Sequence, residues 1–159
     1  MRKIKIVRSK NALNSARKYY LAYGLNTNIA SMQSRCPEAK LLGNVWVTGY
    51  RLCFKNHCDV VPDTRSKLNC VLWSITQECE THLDILEGYP EYYTKKNLTI
   101  NYQDKNIQAM IYHMQGKSRE ILPSQNYLDL IVQGYKENNL NITQIELALL
   151  GAHNQEIIE

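Results

Sequence analysis

Two short stretches of this chain carry residue types that could do chemistry. The first is Leu83-Asp84-Ile85-Leu86-Glu87-Gly88, preceded by Thr76-Gln77-Glu78-Cys79. Cys79, Leu83 and Leu86 are spaced three and four apart and share one face, which predicts a short helix over 77–86 that Gly88 stops. Glu87 then stands where the helix gives way to a loop. The negative end of the helix dipole disfavours an ionised carboxylate there, and apolar neighbours would raise its pKa further, so Glu87 is a candidate acid/base. On this segment alone the plainer reading is favoured: Glu87 is one of 15 acidic residues, and most carboxylates are solvated.

The second stretch is Tyr23-Gly24-Leu25-Asn26-Thr27-Asn28. An aromatic-rich strand ending at Gly24, a polar turn, and a helix capped by Asn26, Thr27 or Asn28 leave backbone N–H groups pointing outward, which receive anions and carboxylates. The eleven tyrosines against one phenylalanine add hydroxyls that suit a small polar pocket, with Tyr23, Tyr92, Tyr93, Tyr112 and Tyr127 as candidates. Core-edge packing is the plainer reading of any one of them. His57, His82, His113 and His153 are scattered, and His57-Cys58-Asp59 lacks a second spaced pair, so no metal site is expected. The chain has no G-x-S-x-G elbow, P-loop or H-E-x-x-H motif.

The elements that position these stretches follow from pattern. Strands are expected at 18–23, at 41–54 with a bulge or bend at Gly49, at 69–75, at 92–102 and at 107–114, the last two joined by a turn at 103–106. A short helix after Asn28 ends near Arg35-Cys36 because Pro37 follows. Residues 56–68 read as irregular, with Pro62-Asp63 as a turn signal. Beyond Pro123 two helices are expected, one with Tyr127, Leu128, Ile131 and Tyr135 on its face, the other spanning 142–150 and ending before Gly151.

Composition bounds the rest. At 159 residues, 44% hydrophobic and 21% charged, the chain fits one domain (19–159) behind a basic N-terminal extension (1–18). That extension carries seven basic residues and no acidic one, and the remainder is mildly acidic. A solvated arm, or an added strand at Ile4-Lys5-Ile6-Val7, is favoured over nucleic-acid binding, because the body lacks a basic surface interleaved with aromatics. No run of apolar residues is long enough to span a membrane and no secretory h-region is visible, so the expected compartment is cytoplasmic. Five cysteines with no C-x-x-C pair argue against a disulfide framework and predict mostly reduced, buried thiols. A homodimer is compatible with the sequence.

Several motifs in order carry a family resemblance. Tyr20-Leu21-Ala22-Tyr23-Gly24-Leu25-Asn26-Thr27, Met32-Gln33-Ser34-Arg35-Cys36-Pro37-Glu38-Ala39, Gly49-Tyr50-Arg51-Leu52-Cys53-Phe54, Val60-Val61-Pro62, Val71-Leu72-Trp73-Ser74-Ile75 and Leu83-Asp84-Ile85-Leu86-Glu87-Gly88 together resemble the gamma-glutamylcyclotransferase family, particularly its small microbial members. The resemblance runs from about residue 19 to residue 150. It implies a mixed α+β fold around a small β-barrel with flanking short helices, and a cavity where the first turn meets the helix-end carboxylate. It assigns Glu87 as the catalytic acid/base and Tyr23, Gly24, Leu25, Asn26, Tyr93 and Tyr127 as substrate-binding residues. Leu25 stands where the family usually has serine.

The implied reaction is cyclisation of a gamma-glutamyl amide or amine to 5-oxoproline with release of the free amine. The substrate brings its own nucleophile, the α-amino group, so the protein needs only to hold the folded-back rotamer and move one proton. No metal, cofactor or protein nucleophile is required. A non-catalytic small-molecule-binding or interaction protein on the same scaffold is the alternative.

Overall fold

β1 (Lys18–Ala22) runs through the middle of a five-stranded sheet of order β2-β3-β1-β5-β4. It pairs antiparallel with β3 (His57–Ile75) on one side and parallel with β5 (Lys105–Met114) on the other, so Tyr20, Leu21 and Ala22 are buried. The computed structural model describes residues 16–158. The strand proposed at Ile4-Lys5-Ile6-Val7 and most of the basic extension lie outside the described residues.

β2 (Lys40–Lys55) and β3 form one long hairpin turning at Asn56, which holds a left-handed φ of 67°. The expected irregularity at 56–68 is corrected: this segment belongs to β3. Its turn signal is nonetheless real on a smaller scale. Thr48 pairs with Lys67 and Tyr50 with Pro62, so residues 63–66 loop out opposite Gly49, whose φ is 90°. Asp63 closes that excursion by accepting from Arg65 N–H at 3.0 Å and from Ser66 Oγ at 2.8 Å.

The bends at Gly43 and Gly49 do not close the sheet. β2 and β4 (Tyr93–Tyr102) are its two edges and share no ladder, so the expected β-barrel is replaced by an open mixed sheet within an α+β fold. The bends are spent inside the β2–β3 hairpin, where each shifts the register, and they do not carry β2 round to β4.

Among the described residues four α-helices flank the sheet: α1 (Ile29–Arg35), α2 (Gln77–Leu86), α3 (Gln125–Glu137) and α4 (Thr143–Ile157). α4 runs through Gly151 and does not stop before it, with Ala148 and Ala152 holding its buried face on both sides of the glycine. The β4–β5 turn is tight, with Gln103 and Asp104 at φ 50° and 62°, the pair of positive angles that a two-residue hairpin requires.

A second correction concerns the cysteines. Cys36, just past α1, and Cys79, in the first turns of α2, form a buried disulfide with their Cα atoms 5.3 Å apart. Cys53, Cys58 and Cys70 are buried free thiols. The missing C-x-x-C spacing spoke only about local pairs, and this bridge joins residues 43 apart.

Candidate functional site

The chain leaves β1 at Tyr23-Gly24 and makes a 3-10 turn over Leu25–Thr27 before Asn28 caps α1 by accepting from Ser31 N–H at 3.1 Å. The turn is fixed from several sides. Thr27 N–H and Oγ1 both donate to Gly24 O, at 3.0 and 2.7 Å. Trp73 Nε1 donates to Asn26 O at 2.9 Å, and Asn138 Nδ2 to Thr27 O at 2.8 Å. α3 lies so close that a Cβ on Gly134 would sit 2.4 Å from Thr27 Oγ1, so only glycine lets the helix brace the turn. With Thr27 N–H bonded to Gly24 O, the N–H groups of Leu25 and Asn26 are those for which the turn has no acceptor.

α2 brings the second stretch to the first. Thr76 caps its start by accepting from Cys79 N–H at 3.1 Å, Cys79 and Leu83 are buried, and the helix ends at Glu87, with Gly88 in the left-handed region at φ 64°. Leu86, read from spacing as part of the buried face, is instead 46% exposed and lies on the cavity wall. Glu87 Oε1 accepts from Asn26 Nδ2 at 3.3 Å and lies 3.7 Å from Arg35 Nη1. Burial raises the Glu87 pKa above the ordinary carboxylate range, and the Arg35 charge and the Asn26 hydrogen bond pull it back only in part. The helix-end argument anticipated the direction; desolvation supplies most of the cause.

Asn26 is buried, and its Nδ2 also donates to the Tyr20 hydroxyl at 2.9 Å. Its Oδ1, by contrast, is buried and has no hydrogen-bond partner among the described residues. A buried acceptor left open is costly unless a ligand fills it.

These groups line a cavity of about 200 Å³ together with Tyr23, Gly24, Leu25, Tyr93 and Tyr127. Every residue singled out from sequence as a site residue therefore borders one space. Tyr93 and Tyr127 clamp the tip of the β2–β3 hairpin at Cys58: the Tyr93 hydroxyl donates to Cys58 O at 2.5 Å, and the Tyr127 hydroxyl accepts from Cys58 N–H at 3.0 Å. Gly24 completes the floor, where an added Cβ would lie 2.9 Å from Cys58 Cβ and 3.3 Å from the Tyr127 hydroxyl. Burial holds the Tyr20, Tyr93 and Tyr127 hydroxyls protonated well above the usual phenol range. They are hydrogen-bonding walls, and among the described residues Glu87 is the one carboxylate on the lining.

Residues 20–129 match the model of the gamma-glutamyl cyclotransferase, AIG2-like family. The chain belongs to this family. Solved structures resemble its fold: a protein from Homo sapiens described as uncharacterized protein loc79017 has a TM-score of 0.73 at 23% identity, covering 82% of this chain and 86% of that one. A structure described as gamma-glutamyl cyclotransferase has a TM-score of 0.73 at 22% identity, with the same coverage of 82% and 86%. YkqA from Bacillus subtilis has a TM-score of 0.71 at 19% identity, covering 87% of this chain and 55% of its own. A search of curated proteins found no match.

Family membership fits the shared cavity and leaves several of its residues to this chain's own structure. Sequence reasoning missed Tyr20, Arg35, His57, Cys58 and Leu86 as lining residues. His57 is exposed, yet its Nδ1 meets the Tyr92 hydroxyl at 2.8 Å on the cavity rim. The hairpin tip at Asn56 was the absent signal, since reading 56–68 as irregular hid the return of the chain to the site. Among the described residues no group of three His, Cys, Asp or Glu side chains is placed to hold a metal, and no helix is long and apolar enough to cross a membrane.

Proposed function

We propose that this protein is a cofactor-independent gamma-glutamylcyclotransferase that converts a gamma-glutamyl amide or amine to 5-oxoproline and the free amine, with Glu87 as the single acid/base. The observation that carries this reading is the meeting of the Glu87 carboxylate with Asn26 and the 24–26 turn across one small cavity. A space of about 200 Å³ lies below the usual range for drug-sized ligands and suits a short polar chain.

The roles follow from the donors and acceptors in place. The N–H groups of Leu25 and Asn26, for which the turn has no acceptor, receive the carboxylate of the glutamyl end. The unpartnered Asn26 Oδ1 and the neighbouring Glu87 carboxylate receive its α-ammonium. Glu87 takes one proton from that ammonium, and the freed amine attacks the γ-carbonyl carbon, forming the new C–N bond of a five-membered ring. As the tetrahedral centre collapses, the old C–N bond breaks, Glu87 returns the proton to the departing nitrogen and then takes the remaining extra proton from the ring nitrogen, which it passes to the released amine or to solvent, leaving a neutral lactam and an ionised Glu87. A pKa raised by burial suits both halves of this traffic, because the carboxylate must be basic enough to accept and acidic enough to give back. Ring closure is intramolecular, so fixing the folded rotamer supplies much of the acceleration.

The test is to incubate the purified protein with gamma-glutamyl amino acids, gamma-glutamyl amines and glutathione, and to follow 5-oxoproline by mass spectrometry. Turnover of at least one class supports the reading. Leu25 in place of the usual serine is the feature that favours a binding protein instead; thermal stabilisation by these compounds with no product would select that alternative.

A further inference from the structure

Arg35 ends α1, and its guanidinium lines the cavity beside Glu87. At 3.7 Å the two form a loose ion pair, longer than the 2.7–2.9 Å typical of a charge-assisted hydrogen bond. Among the described residues no hydrogen bond uses an Arg35 side-chain N–H, so its donor fork is open while its backbone is held on both sides. Arg35 O is bonded to His82 Nδ1 at 2.7 Å, and the next residue, Cys36, is covalently tied to α2 through Cys79. The result is a fixed, partly shielded cation with unused donors, 26% exposed at its side chain.

We propose that Arg35 is a specificity-determining residue that receives a carboxylate carried by the leaving amine, so that the preferred substrates are gamma-glutamyl amino acids whose released amine bears a carboxylate close to its nitrogen. The inference rests on the cyclotransferase reading above. Charge complementarity is its main support. The lining residues offer one carboxylate, Glu87, and one guanidinium, Arg35. The substrate's ammonium goes to Glu87 and Asn26, and its glutamyl carboxylate to the turn, which leaves Arg35, only loosely paired with Glu87 at 3.7 Å, as the charged lining group with no substrate charge facing it. A planar guanidinium matches a second carboxylate through two parallel N–H···O contacts. A neutral leaving amine would leave that cation facing nothing but Glu87.

The experiment compares gamma-glutamylalanine with gamma-glutamylethylamide, which differ by the carboxylate on the leaving group, in wild type, Arg35→Met and Arg35→Lys at pH 8. For wild type, kcat/KM is expected to favour gamma-glutamylalanine by roughly 10- to 100-fold, the span of one charged hydrogen-bonded contact. Arg35→Met is expected to lower kcat/KM for gamma-glutamylalanine by at least about 10-fold more than for the ethylamide and so to remove that preference, and Arg35→Lys to restore part of it, because the charge returns without the fork. Equal use of both substrates by wild type, or an equal loss on both in Arg35→Met, would overturn the inference and leave Arg35 acting only through Glu87. Failure of wild type to release 5-oxoproline from either compound would instead overturn the underlying cyclotransferase reading, and the inference with it.

Discussion

Asn26 Nδ2 and Glu87 Oε1 lie 3.3 Å apart, although 61 positions separate the two residues in the chain. One sits on the turn that follows the central strand and the other at the last turn of the crossover helix α2, so the contact exists only once β1 and β3 have paired and α2 has packed back beside α1. It joins the two halves of the site, and it adds to the Arg35 charge, the larger of the two opposing causes, in holding back the rise that burial gives the Glu87 pKa.

Arg35 opposes that rise, which makes a pH prediction. Burial lifts the Glu87 pKa and the Arg35 charge lowers it, so Arg35→Met should lift it further. Glu87 must be ionised to take the first proton, and the acid limb of kcat/KM therefore moves to higher pH in the variant. A pH–rate profile with gamma-glutamylethylamide measures this. An unmoved limb, or one displaced to lower pH, would show that Arg35 does not tune the carboxylate.

The same carboxylate carries a cost in stability. A folded-state pKa raised above the unfolded value means that the native state holds the proton more tightly, so the favourable contribution is present at low pH and is lost as pH rises through the folded pKa. Glu87→Gln removes the charge that burial penalises. Thermal melts should show the variant more stable than wild type at pH 8, with the gap closing toward pH 4, below the ordinary carboxylate value of 4.5. A variant less stable than wild type at pH 8 would mean that the Arg35 and Asn26 contacts outweigh desolvation.

The disulfide should be a major contributor to stability. Closing a loop between residues 43 apart removes chain entropy worth about 4 kcal/mol in the unfolded state. For a chain of this size that corresponds to a fall in Tm of roughly 10 °C on reduction. Melting with and without a phosphine reductant, beside the Cys36→Ser/Cys79→Ser double variant, measures it: reductant should lower the wild-type Tm to that of the variant and leave the variant unchanged. No response of the wild type to reductant would contradict a stabilising bridge.

Gly24→Ala tests how tightly the floor is built. Its Cβ would meet Cys58 Cβ at 2.9 Å and crowd the Tyr127 hydroxyl, so the hairpin tip must move by several tenths of an ångström. Overpacking of this kind costs about 1–3 kcal/mol, and the displaced turn should lower kcat/KM by roughly 10-fold or more, since the donors of residues 25 and 26 are aligned from Gly24. Unchanged kinetics would show that the turn does not hold substrate.

Much of this architecture is legible from local chemistry. Gly88 stops α2; Asn28, one of three candidate caps, and Pro37 bracket α1; and the turn expected at 103–106 falls at Gln103-Asp104, because caps, prolines and left-handed turn residues act within a few positions of themselves. Glu87 and the 23–26 turn stand out for the same reason. What stays hidden depends on contacts far apart in sequence. The open edges of β2 and β4 are a matter of how much bending two glycines supply in total, and no window along the chain reports it. The Cys36–Cys79 bridge and the reach of Arg35 to Glu87 both arise from α1 lying beside α2, a packing that neither helix's pattern contains. His57 and Cys58 reach the cavity only because the hairpin folds back at Asn56.

The most direct measurement is 5-oxoproline release by wild type and by Glu87→Gln under single-turnover conditions, with the fastest gamma-glutamyl substrate at saturating protein. Glutamine keeps the shape and can still accept from Asn26 Nδ2, but it cannot carry the proton. General acid–base catalysis by one side chain is worth roughly 10²- to 10⁴-fold, so the account predicts a fall in rate of at least about 100-fold at saturation with the fold retained. Release by Glu87→Gln at the wild-type rate would contradict it.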